Sequence, residues 1–209
     1  MKSFCLAAAL MSGLACGGGA NASLGPDGGD GGPAGGGGQT GSGNSSAKTT
    51  LARDPVDYAG DGIGSVGANA TAAGFTVAIN EGAASCATGQ QLLLGKHSFW
   101  FTIARMGDHP AQLTTATYAS TDLAVANSLH LEAYLSNVVA NSNGTCSANQ
   151  YAGNGGDQPY SLTISEFDAI HIAGTYNITI SYGHEAGVPV TGSFNTPLCG
   201  APHVLDSCH

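Results

Sequence analysis

The sequence predicts an all-β fold: an antiparallel β-sandwich, with a partly open barrel as the alternative, held behind a glycine-rich tether. Three observations predict it. Apolar residues alternate with small or polar ones over runs of four to eight residues, the pattern of strands with one buried face. Turn-forming residues break those runs at short intervals. No stretch of the chain carries the apolar spacing of a convincing amphipathic helix. The composition agrees: charged residues are only 9% of 209, Lys and Arg total five, and Gly, Thr, Ser and Asn are abundant. That is the look of an exported β-protein.

The chain divides into three parts: residues 1–15, 16–50 and 51–209. In the first, Lys2 is followed by an apolar run from Phe4 to Met11 and by small or apolar residues from Gly13 to Ala15. A charged start, an apolar middle and a small-residue end make a secretory signal peptide. The apolar run is shorter than the roughly 20 residues that a membrane-spanning helix needs.

Gly13-Leu14-Ala15-Cys16 closes the leader and resembles the lipobox of bacterial lipoproteins. The resemblance implies that Cys16 becomes the new amino terminus and carries three acyl chains. At about 0.8 kcal/mol per buried CH₂, such chains give stable anchoring to a lipid bilayer. Gly17 rather than an aspartate follows the cysteine, so the family's sorting rule implies the outer membrane. An ordinary secretory signal, and hence a secreted protein, is the alternative.

From Gly17 to about Thr50 the chain is Gly, Ser, Asn, Ala and a few aspartates, with Leu24 the exception. Such a stretch buries too little apolar surface to offset its ordering entropy, so a disordered tether is expected. Its mean reach is about 30–35 Å. The Pro26–Gly32 run lacks the period and the interleaved apolar residues of a calcium-binding glycine/aspartate repeat and reads as linker.

Residues 51–209 suit one domain. Asp54, Asp57 and Asp61 could cup a cation, but a turn-rich lead-in to the first strand is the expectation. Strand patterns follow in order: Phe75, Val77 and Ile79; Phe99, Phe101 and Ile103; Leu129, Leu131, Ala133 and Leu135; Tyr160, Leu162 and Ile164; Ile170 and Ile172; Tyr176, Ile178, Ile180 and Tyr182; Val188 and Val190. Gly95, Gly107-Asp108, Asn141–Gly144, Gly153–Asp157, Gly183 and Gly192 separate them. Residues 121–127 fit a short helix or a turn. The segments Tyr160–Phe167, Ile172–Tyr176 and Val190–Asn195 read as a meander. They resemble a pattern of "G-T-aromatic" and "G-S-F-N" strands in bacterial exported proteins of unknown function, a resemblance that implies a β fold and no activity.

With Cys5 in the leader and Cys16 acylated, Cys86, Cys146, Cys199 and Cys208 remain. An even number in an oxidising compartment predicts two disulfides with three possible pairings. Cys86–Cys146 and Cys199–Cys208 are the expected pairs, closing about 60 and about ten residues.

Removing the leader takes Lys2 with it and leaves 14 acids against four bases, a net charge of about −10. No basic patch faces phosphate, so nucleic acid is excluded as an expected partner. No nucleophile elbow, zincin motif, phosphate loop or dinucleotide fingerprint occurs, and no cofactor is expected. The candidate chemistry is small. His130 and Glu132 share a strand face, and with His171 on another strand they could form an acid/base or metal site if the strands paired. Cys199, His203, Cys208 and His209 could bind zinc, although disulfides suit the compartment better.

The expected function is therefore a membrane-anchored cell-envelope lipoprotein whose sandwich has a non-catalytic structural or binding role, with an envelope protein or glycan as partner. One alternative is a secreted hydrolase or metal-dependent enzyme using the His/Glu site. Another is a carbohydrate- or surface-binding module, for which Trp100, Tyr118, Tyr134 and Tyr151 are the aromatic candidates.

Overall fold

The computed structural model describes residues 45–68, 70–86, 89–91, 93–121, 128–154, 158–183, 187–199 and 204–205. They form thirteen strands and, among the described residues, no helix. The strands are β1 (Ser45–Thr49), β2 (Val56–Ala68), β3 (Ala72–Asn80), β4 (Ala84–Ser85), β5 (Gly89–Gln91), β6 (His97–Met106), β7 (Ala116–Ala119), β8 (Leu129–Ala140), β9 (Cys146–Asn154), β10 (Tyr160–Phe167), β11 (His171–Ile180), β12 (Val188–Pro197) and β13 (Val204–Leu205).

Ten strands make one antiparallel sheet in the order β7-β10-β11-β12-β1-β2-β3-β6-β8-β9, which is not closed. The sheet turns over along β2. Val56–Gly60 pair with β1, whereas Asp61–Ala68 pair with β3. The two halves thus face each other in a sandwich-like arrangement and share one core. Phe99 and Tyr176 lie 5.2 Å apart across it, and Phe101 and Phe194 lie 5.6 Å apart. Such ring pairs add about 0.5–1.5 kcal/mol each beyond their area burial. At one corner the halves touch again, where Gly153 and Ser181 exchange two 3.0 Å backbone hydrogen bonds.

Glycine permits the turn of β2. A Cβ on Gly62 would lie 2.2 Å from Thr196 Cγ2 of β12, and one on Gly60 would lie 1.9 Å from the Asn80 carbonyl oxygen. Side chains there would hold the two halves apart. The expected lead-in around Asp54–Gly62 is therefore mostly strand. Its three acids are dispersed: Asp54 meets His97, Asp57 meets Lys48, and Asp61 accepts a hydrogen bond from the Ala84 N–H.

The fold also begins earlier than expected. β1 lies inside the 16–50 segment read as tether, yet it sits in mid-sheet between β12 and β2. Ser45, Ala47 and Thr49 are buried. Backbone pairing on both sides and small inward side chains hold it, so it carries no large apolar residue to advertise it.

The β10-β11-β12 meander forms as the sequence suggested, antiparallel throughout, with a register shift between Ile164 and Glu166 where β10 pairs with β11. Gly95, Gly144 and Gly183 adopt the left-handed conformation that favours glycine, at φ 75°, 81° and 58°. Residues 122–127, within the stretch left open between helix and turn, lie outside the described residues.

The disulfide pairing differs from expectation. Cys86 is bonded to Cys199, not to Cys146. Cys199 follows β12, and its N–H donates to the Gly64 carbonyl at 2.7 Å, which carries it onto the outer side of β2 beside Cys86. The bridge packs with Ile63, Ala78 and Ala84 in a small second core. Cys146 is also disulfide-bonded. The expected Cys199–Cys208 staple and the Cys199/His203/Cys208/His209 zinc grouping both lose Cys199.

Candidate functional site: the outer face of β6 and β8

Alternation on β6 and β8 sends Phe99, Phe101, Ile103, Leu131, Ala133 and Leu135 into the core. The intervening residues point to the outer face. Register then pairs Trp100 with Tyr134, Thr102 with Glu132, and Ala104 with His130. Three rows of two lie one above the other along the strands.

The first row is an aromatic pair. The Trp100 and Tyr134 rings are 4.5 Å apart between centroids with a 36° tilt, in mutual contact. Small residues flank them on both sides. Ala78 is the β3 neighbour of Trp100, and Gly153 is the β9 neighbour of Tyr134. A Cβ on Gly153 would approach Tyr134 Cδ1 to 2.8 Å, so the tyrosine ring leans over the bare backbone. Both aromatics remain partly exposed. The Trp100 indole N–H has no acceptor among the described residues.

The second row holds the carboxylate. Glu132 is only 8% exposed. Its Oε1 lies 3.0 Å from His130 Nε2, while Oε2 is buried and accepts no hydrogen bond. A carboxylate has room for about four, and leaving an oxygen of a buried acid without a donor is costly. The neighbouring Thr102 hydroxyl does not help, because it is bonded to that of Thr76 at 2.8 Å. Burial and the negative charge of Glu132 push the Tyr134 hydroxyl up from its ordinary pKa. In the third row His130 covers the Glu132 side, its own side chain 40% exposed.

The structure thus brings together two of the three expected acid/base residues. His171 is not with them. It lies in the opposite half of the sheet, paired with Pro197, with Nδ1 3.7 Å from Glu166 and Nε2 on the Asn195 amide oxygen. β8 and β11 are not neighbours in the sheet, so the His130/Glu132/His171 cluster does not form. No group of three or more potential metal ligands occurs among the described residues. Of the four aromatic candidates, Trp100 and Tyr134 make the platform. Tyr118 is buried and donates to the Thr114 carbonyl at 2.9 Å, and Tyr151 packs against the core.

A second polar cluster was not singled out by the sequence. His97 opens β6, with Nδ1 2.9 Å from Glu81 Oε2 and Nε2 3.1 Å from Asp54 Oδ2. Lys96 Nζ reaches Glu81 Oε1 at 2.8 Å, and the His97 N–H donates to Glu81 Oε2 at 2.9 Å. Arg53 adds a cation–π contact to Tyr182 at 4.4 Å. Although partial burial acts against it, donation from Lys96 and His97 lowers the Glu81 carboxyl to about 2. These groups satisfy one another, so the cluster is a clasp joining the β1–β2 loop, the end of β3 and the start of β6. No signal in the sequence pointed to it, because Asp54 and His97 are 43 residues apart.

No protein-family model matches the chain, and neither a curated protein nor a solved structure matches it.

Proposed function

We propose that this chain is an exported cell-envelope lipoprotein, anchored to a bilayer through acylated Cys16, whose β-sandwich binds a ligand and performs no catalysis. The outer face of β6 and β8 is the binding surface. The observation that carries the binding role is the partly exposed Trp100–Tyr134 pair, with small residues on both sides. An aromatic surface with a few convergent polar groups is the usual make-up of a ligand site. Export is supported by the leader, and by a bridge between Cys86 and Cys199 that suits an oxidising compartment. Outer-membrane placement rests on the lipobox resemblance and Gly17.

Two measurements test this. Intact mass after detergent extraction should show an acylated chain beginning at Cys16, and an unacylated soluble chain cut elsewhere would remove the anchor. Trp100 is the sole tryptophan of the chain, so its fluorescence reports on the face directly. Isolated bacterial envelopes should protect it from acrylamide quenching, and unchanged quenching would remove the binding face.

A further inference from the structure

β9 ends the ten-stranded sheet and, among the described residues, has a strand neighbour on one side only, β8. The bonding of β8 reveals which backbone groups of β9 are unused. The Val138 N–H donates to the Lys96 carbonyl, and the Val138 carbonyl accepts from the Gly95 N–H. Both groups therefore point away from β9. Val138 lies opposite Ala148, and Ser136 opposite Gln150. Opposite residues of an antiparallel pair either exchange both hydrogen bonds or exchange none, in alternation. The N–H and C=O of Ala148 and Gln150 thus point out of the sheet, with no partner among the described residues. Ala148, Asn149 and Gln150 are exposed.

Sheet edges are usually guarded by charge, proline, a bulge or extreme shortness. The other edge, β7, has four residues. β9 has nine, and residues 138–156 contain no charged side chain and no proline. Its register shift comes only after Gln150, and its far end is tied to Ser181 through Gly153. Residues 146–150 are left open.

We propose that β9 pairs antiparallel with β9 of a second copy of this chain, about a two-fold axis at Asn149. Ala148 of each copy then faces Gln150 of the other, and these two pairs supply four backbone hydrogen bonds. Asn149 faces its own counterpart at a non-hydrogen-bonded site, where Cα atoms stand about 4.5 Å apart. A side-chain amide both donates and accepts, so Asn149 is complementary to itself. Charge also selects a second copy. The chain carries 14 acids against five bases, so two copies repel wherever their charged surfaces meet; along residues 138–156 they do not. The same stretch offers no charge by which a basic or acidic partner could be held. The two-fold closes after two copies and sets the outer faces of β6 and β8 of both on the same side of one continuous sheet.

The test uses the full chain in detergent, with micelles in excess over chains. Sedimentation should show a monomer–dimer equilibrium that shifts with chain concentration. Ala148→Pro removes an outward N–H and leaves the bonds to β8 in place, so it should weaken the dimer about tenfold while circular dichroism stays near that of the parent. Asn149→Cys should oxidise to a disulfide-linked dimer, because its Cα separation suits that bond. Ser147→Cys should not, since its counterparts lie four residues apart along the strands, about 13 Å. Asn149→Lys and Asn149→Asp should each be monomeric and should associate when mixed.

A parent that stays monomeric at every concentration overturns the proposal, and this includes the case in which β9 takes a strand of a different protein. Equal cross-linking of the two cysteine variants overturns the two-fold at Asn149. A folded Ala148→Pro that dimerises like the parent overturns pairing through β9. If Ala148→Pro does not fold, Asn149→Lys decides the same point, and an undiminished dimer overturns it.

Discussion

Removing the Cys86–Cys199 bridge should cost this domain a large part of its stability. The cross-link spans 113 positions of sequence, which by loop-closure entropy limits the unfolded chain by only about 0.5 kcal/mol more than the loop of about 60 residues expected from the sequence. Loop-closure entropy puts the effect at about 4.8 kcal/mol at 25 °C, and native disulfides generally cost 2–5 kcal/mol when removed. A loss of about 3–5 kcal/mol is therefore expected for Cys86→Ala combined with Cys199→Ala. For a domain of this size that lowers Tm by about 10–15 °C. Urea titration of the parent and the double variant measures it, and each single variant should lose nearly as much as the pair, since either breaks the same bond. The bond itself is found by non-reducing peptide mapping. Trypsin cannot place it, because Arg105 is the last basic residue and leaves Cys146, Cys199 and Cys208 on one peptide. Endoproteinase Asp-N separates all four, cutting before Asp108, Asp122, Asp157, Asp168 and Asp206. Cys86 should be recovered joined to Cys199, with Cys146 joined to Cys208, the only other cysteine after residue 16. Recovery of Cys86 with Cys146, or a double variant as stable as the parent, would refute this reasoning.

Two further outcomes are expected. Because the Glu81 carboxyl is lowered to about 2 in the folded chain, its contribution is fully present above its unfolded pKa near 4.3 and is lost as pH falls from there toward 2. Glu81→Gln should cost about 1–2 kcal/mol at pH 7, discounted for its half-exposed Lys96 partner, and little at pH 2; a loss as large at pH 2 as at pH 7 would show that the carboxylate charge is not the cause. Gly62→Ala should destabilise by about 1–3 kcal/mol, the range for overpacking, by pressing on Thr196. Thr196→Ala in the same chain should recover part of that loss, and strictly additive urea midpoints would rule out the contact.

How much could be read from the residues depended on side-chain size. Where large apolar residues alternate, as in Phe75–Ile79, Phe99–Ile103 and Leu129–Leu135, the strands of the structure cover the predicted runs. β1 and much of β2 were missed because Ser45, Ala47 and Gly60–Gly64 owe their places to backbone pairing and close approach, which leave no apolar signature. The sharing of one strand face by His130 and Glu132 follows from period two. The pairing of Trp100 with Tyr134 does not, since it depends on the register between strands 34 residues apart in sequence. His171 illustrates the same gap: its strand was legible, but the half of the sheet holding it was not. The expected Cys86–Cys146 and Cys199–Cys208 pairs gave way to Cys86–Cys199 because the chain after β12 crosses to the outer side of β2, a path that local spacing cannot encode.

β1 and β12 lie side by side at the middle of the sheet, with Lys48 opposite Thr191 and Thr49 opposite Val190. The first strand therefore cannot be sealed until almost all of the domain has emerged. Contacts so far apart in sequence form late and slowly, and Cys86 waits on Cys199 in the same way. For a chain threaded across a membrane amino terminus first, this topology postpones completion of the fold until translocation is nearly done. The amino-terminal part of such a chain would emerge while the sheet is still open, and only the arrival of β12 would close it around β1.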